Sequence, residues 1–145
     1  MKNLILIIAL FLGVTAQAQT ASDVRNDESY KEMLENYTTF YSSDEHAEYM
    51  DTLGKFVQKV PEEFDFFYFK EYASNFEEWI AERIDDSGFE SVEDAVTQYN
   101  ILLEQEKPIR AKQVELANEM SKVREKFKDK ELFNNVFRED FVNSY

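Results

Sequence analysis

Apolar residues recur every three or four positions through almost the whole chain. Tyr30, Met33, Leu34, Tyr37, Phe40 and Tyr41 fall on one face of a 3.6-residue period and predict a first helix from about Asp27 to Ser42. Ser43 or Asp44 caps a second helix, whose acidic first turn suits the positive end of the helix dipole. Met50, Leu53, Phe56, Val57 and Val60 are expected on its buried side, and Gly54 lies within it at a cost of about 1 kcal/mol. Pro61 marks a break and a new start, followed by Glu62 and Glu63.

The third predicted helix, Glu62 to Asp85, is the most apolar. Phe66, Phe69, Ala73, Phe76, Ile80 and Ile84 make one stripe, while Phe64, Phe67 and Tyr68 cover the other side of its first two turns. A helix apolar all round is a buried one, so its N-terminal half is expected at the centre of the domain. A short strand over Phe64 to Phe69 is the competing assignment. Asp86-Ser87-Gly88 reads as a stop, with Gly88 able to take the left-handed conformation.

Ser91 and Asp94 then resemble a weak capping box. Val92, Ala95, Val96, Tyr99, Leu102 and Leu103 follow at helical spacing, and Pro108 is expected to kink or end this helix near Lys107. A fifth stripe comprises Ile109, Leu116, Met120, Val123 and Phe127, and a last short helix carries Leu132, Phe133, Val136, Phe137 and Phe141. From residue 19 onward only Gly54, Gly88, Pro61 and Pro108 punctuate the chain, too few for the turns of a strand-rich fold. The predicted fold is all-α: a compact single-domain bundle of five to six helices over residues 28–145, the fourth and fifth either separate or joined as one kinked unit. Residues 19–27 are expected to be a flexible lead-in.

Residues 1–18 stand apart. Lys2 supplies a positive start, Leu4 to Val14 form an apolar run, and Ala16-Gln17-Ala18 is a small-x-small cleavage site. This is the pattern of a bacterial secretory signal peptide cut before Gln19. The run is shorter than the roughly 20 apolar residues that span a bilayer. Periplasmic or secreted localisation is the expectation.

Composition narrows the function further. The 145 residues carry 30 Asp+Glu against 16 Lys+Arg, a formal net charge of −14, which opposes nucleic-acid backbones and anionic membrane as partners. The absence of Cys excludes thiolate chemistry, and a single His excludes a multi-histidine metal site within one chain. An apolar content of 43% is too high for a disordered acidic chain. The charge is uneven. Asp23 to Ala95 holds 21 acidic and 6 basic residues, whereas Val96 to Tyr145 holds 9 of each.

Each candidate constellation has a simpler structural account. His46 is the one side chain that titrates near neutrality when unperturbed, but no nucleophile is spaced to use it, and a half-buried histidine at a helix start is expected. Asp44, Glu48 and Asp51 share a helix face, and Asp85-Asp86-Ser87-Gly88 is loop-like. Neither offers the six to eight converging oxygens that calcium takes. Asp65 lies among Phe69, Tyr72 and Phe76, where a glycosidase acid could sit, and otherwise serves the helix start. Lys122, Arg124, Lys126, Lys128 and Lys130 frame an apolar stripe, as cations beside a core-facing helix do. A core built from large rings is the favoured account of the aromatics, with Tyr30, Tyr37 and Tyr41 the best candidates for an exposed patch. No catalytic, cofactor-binding or metal-ligating residue is nominated, and no cofactor is expected. The leading expectation is a non-enzymatic exported protein that binds a partner protein or another copy of itself. A small carboxylate-based glycan hydrolase and a carrier of a small apolar ligand are the alternatives.

Overall fold

The computed structural model describes residues 19–61 and 75–144, and these are all-helical, with no strand among them. Among the described residues six α-helices follow one another: α1 (Ala21–Asn26), α2 (Glu28–Tyr41), α3 (Asp44–Val57), α4 (Phe76–Ala81), α5 (Val92–Glu125) and α6 (Lys130–Asn143). A single 3-10 turn, Ile84–Asp86, lies between α4 and α5.

The stretch 19–27 differs from the flexible lead-in expected of it. Thr20 and Asp23 form a reciprocal capping box: the Asp23 N–H donates to Thr20 Oγ1 (3.3 Å), and the Thr20 N–H donates to Asp23 Oδ2 (2.8 Å). Val24 is fully buried and anchors α1 to the rest of the molecule. One well-capped turn and one buried valine suffice to order a segment that reads as polar.

Helices α2 and α3 form a broken rod that runs antiparallel to α5. Asn36 meets Glu119 and Tyr37 meets Met120 near one end of α5, while Lys59 meets Gln98 near the other. At 34 residues, α5 is about 50 Å long and serves as the spine. Two cores are strung along it. The larger holds Phe40, Tyr49, Phe56, Phe76, Ile80, Phe89, Tyr99, Leu102, Ile109 and Leu116. The smaller holds Val24, Tyr30, Met33, Val123, Phe127, Phe133 and Val136, closed by α1 and α6.

Pro108 does not end α5: of the two expectations, separate helices or one joined unit, the chain takes the joined one. The prolyl ring removes the bond that residue 108 would donate to the Glu104 carbonyl and costs the helix about 3 kcal/mol. Leu102, Ile109 and Leu116 are each 2% exposed or less on both sides of it. Their burial, at about 1.5–3 kcal/mol each, outweighs the break.

Three further expectations are corrected. The buried side of α3 is Tyr49 and Phe56, backed by Leu53 and Val60, whereas Met50 and Val57 stand about half exposed. The ring of Tyr49 offers more apolar surface than Met50 and draws the face round. The predicted third helix is described only as α4, which Asn75 caps; it stops at Ala81, where Arg83 Nη1 donates to the Trp79 carbonyl (3.1 Å) and its guanidinium covers the Trp79 ring. The N-terminal half of that predicted helix, its strand alternative and Asp65 lie outside the described residues. Gly88 has no positive φ. Its N–H donates to the Lys59 carbonyl at 2.7 Å, and a Cβ there would meet Lys59 Cα at 3.2 Å, so glycine serves a close backbone approach.

Candidate binding groove

The break in the first rod lies opposite the proline in the second. Ser43 shapes the break: its Oγ donates to the Phe40 carbonyl (2.7 Å) and accepts the His46 N–H (3.2 Å), satisfying one orphan group from each flanking helix. Helix α3 then starts beside Pro108, and its first turns present Glu45 and Glu48 toward α5. Two adjoining concavities result. One, of about 330 Å³, is bounded by Asn36, Thr39, Phe40, Ser43, Glu45, Pro108 and Lys112. The other, of about 170 Å³, lies among Glu45, Glu48, Tyr49, Gln105 and Pro108. Glu45 and Pro108 belong to both, so the two form one groove across the waist of the molecule.

The smaller lobe is rich in acceptors. Glu45 and Glu48 are carboxylates, and Gln105 Oε1 is buried with no hydrogen-bond partner. Burial pushes the Tyr49 phenol above its usual pKa, so it stays neutral. In the larger lobe Asn36 Nδ2 donates to Glu119 (3.0 Å), and Lys112 Nζ pairs with Glu115 (2.9 Å). Ser43 gives its hydroxyl proton to a backbone carbonyl instead of to a base, and is not activated as a nucleophile. The groove can accept hydrogen bonds and hold positive charge. A second concavity between α3 and α5, of about 260 Å³, is lined by Lys55, Phe56, Lys59, Gln98 and Ile101, but Lys59 and Gln98 already bond each other (3.0 Å).

The residues singled out from sequence are scattered. His46 is half-buried, with its ring edge-on to Phe40 (5.3 Å) and Tyr41 (5.0 Å), and does not line the groove. Asp44, Glu48 and Asp51 are exposed, and Asp51 pairs with Lys55 at 2.5 Å. Among the described residues no group of three acids or histidines is arranged to hold a metal ion. Asp85 and Asp86 are exposed in the 3-10 turn. Lys122, Arg124, Lys126 and Lys128 are exposed, and Lys130 Nζ donates to the Arg124 carbonyl (2.7 Å) at the end of α5. Tyr37 and Tyr41 are half-buried against Phe137 and Phe141. Tyr30 is 1% exposed and belongs to the core, in line with the favoured account of the aromatics and not with an exposed patch. Its hydroxyl donates to Asp140 Oδ2 (2.7 Å), and Arg25 bridges Asp140 (2.9 Å) and Glu139 (2.8 Å). Burial raises the Tyr30 pKa, and its bond to Asp140 raises it further. Burial alone would raise the Asp140 carboxyl, but the bonds from Arg25 and Tyr30 outweigh it and hold its pKa below the usual value. This cluster ties α1, α2 and α6 together and has a structural part.

Sequence reasoning passed over Gln105, Asn36 and Lys112, which read as surface positions of α5 and α2. The available signal was geometric: a helix break at Ser42-Ser43 and a proline lie at the same level of two antiparallel rods. Family models, curated proteins and solved structures gave no match to this chain.

Proposed function

We propose that this is an exported, non-enzymatic binding protein whose waist groove holds a donor-rich segment of a partner protein. The observation that carries the reading is Gln105 Oε1, a buried acceptor left without a partner beside two carboxylates. An unsatisfied buried acceptor costs about 1–3 kcal/mol, a cost that a ligand N–H or ammonium removes. Export is supported by the Ala16-Gln17-Ala18 signature.

Gln105→Leu tests the reading because it separates binding from stability. With the peptide acetyl-Gly-Lys-Lys-Gly-amide as probe in calorimetric titration, the variant binds about tenfold more weakly, which is about 1.4 kcal/mol. The same variant unfolds at higher urea, since it removes the unsatisfied oxygen. Unchanged affinity in the variant overturns the groove as the binding site.

A further inference from the structure

The side chain of Gln19 caps a helix at the far end of the sequence. Gln19 follows the Ala16-Gln17-Ala18 signature directly and is half-buried. Its Oε1 accepts the Asp129 N–H at 3.1 Å, across 110 positions of the chain. Asp129 is the N-cap residue of α6. In a capping box the N-cap N–H is met by an acidic or amide side chain three residues on. At α1 Asp23 plays that part, with Oδ2 accepting the Thr20 N–H at 2.8 Å. At α6 the corresponding residue is Leu132, which has no acceptor to offer. Gln19 supplies the missing acceptor, and it does so with the oxygen of its amide, not the nitrogen.

We propose that Gln19, freed by a cut after Ala18, closes to pyroglutamate, and that the carbonyl of the ring is the lasting cap of α6. The proposal rests on the export reading, since only that cut gives Gln19 a free amine. The α-amino nitrogen attacks Cδ of its own side chain. An N–Cδ bond forms and the Cδ–Nε2 bond breaks. Nε2 leaves as ammonia, taking the proton that the amine gives up. No oxidant, metal or co-substrate is consumed. The atom that leaves is the one the cap does not use, while Oε1 stays as the lactam oxygen. The Asp129 N–H points at the oxygen on which negative charge gathers during the attack, so the bond that forms the cap also favours ring closure. Closure fixes side-chain torsions that an open glutamine must freeze to reach Asp129. It also removes the ammonium of the mature N-terminus, leaving a blocked end fastened to α6.

The chain is isolated fresh from its native host, and its intact mass and first peptide are read by mass spectrometry. The expected mass is that of residues 19–145 less one ammonia, with a first peptide that does not react with an amine label. Residues 19–145 with the ammonia retained overturn the ring and leave the cut in place. A chain that begins at Met1, or at any other residue, overturns the cut and the ring together. The cap has its own readout in amide exchange at Asp129. Gln19→Glu keeps an oxygen acceptor, but its ionised carboxylate is a poor electrophile. Its end therefore stays reactive toward the label while Asp129 stays protected. Gln19→Ala speeds exchange at Asp129 about tenfold, with the helical circular dichroism unchanged. A Gln19→Glu chain that is equally blocked overturns the ring, and equal Asp129 exchange in Gln19→Ala and the native chain overturns the cap.

Discussion

Removing the Tyr30 hydroxyl has a different cost depending on whether Asp140 is present. Tyr30 is 1% exposed, and its hydroxyl bonds the Asp140 carboxylate at 2.7 Å. A hydrogen bond to a charged acceptor contributes about 1.5–3 kcal/mol, and the water that still reaches Asp140 brings the expected value to about 1–2 kcal/mol. Tyr30→Phe alone loses that amount. Asp140→Ala loses it as well, along with the contact to Arg25, and leaves a buried hydroxyl without its acceptor. In the Asp140→Ala background, Tyr30→Phe is therefore nearly neutral, and the double-mutant cycle gives a coupling of about 1–2 kcal/mol. Urea unfolding followed by far-ultraviolet circular dichroism measures all four chains. The pH dependence has a fixed sign. The Asp140 pKa lies below its unfolded value of about 3.9, so the stabilisation is present above that pH and is lost as the pH falls through the folded value. A Tyr30→Phe cost that is equal in both backgrounds at neutral pH would refute the network as a structural lock.

Three further outcomes follow from the same geometry. Pro108→Ala restores the helical bond to the Glu104 carbonyl and raises stability by about 2 kcal/mol in urea unfolding; destabilisation would mean that α5 depends on the proline to follow the Ser42-Ser43 break. Gly88→Ala forces a Cβ against the Lys59 backbone, 3.2 Å away, and lowers stability by about 1 kcal/mol; a neutral result would show that the approach relaxes freely. Thr20→Ala removes the first half of the capping box and costs about 1 kcal/mol, with faster amide exchange at Val24; unchanged exchange would mean that α1 does not depend on its cap.

The all-helical fold was legible because ring-bearing residues recur at helical spacing, and the caps at Ser43 and Ser91 lie where those stripes begin. Periodicity fails where the apolar set is wide. On α3 it offers two adjacent faces, Tyr49-Phe56 and Met50-Val57, and only packing against α5 decides between them. It leaves two readings open at Pro108, and the helix runs on there because Leu102, Ile109 and Leu116 are buried on either side. Gln105 and Asp140 were invisible for another reason. A glutamine or aspartate in a helical stretch of charged residues carries no mark of what lies across from it; only the antiparallel rods bring Gln105 to the first turns of α3, and only the packing of α6 on α2 brings Asp140 to Tyr30.

The waist groove as a site for hydrogen-bond donors is tested most directly by amide chemical-shift mapping. The chain is titrated with acetyl-Gly-Lys-Lys-Gly-amide at moderate salt, which screens diffuse attraction to the acidic surface. The account predicts saturable shifts confined to Asn36 through Tyr49 and Gln105 through Lys112, with the Gln105 side-chain amide moving most. Shifts spread over the acidic residues Glu77 to Asp94, or none that saturate by roughly 10 mM peptide, would contradict it.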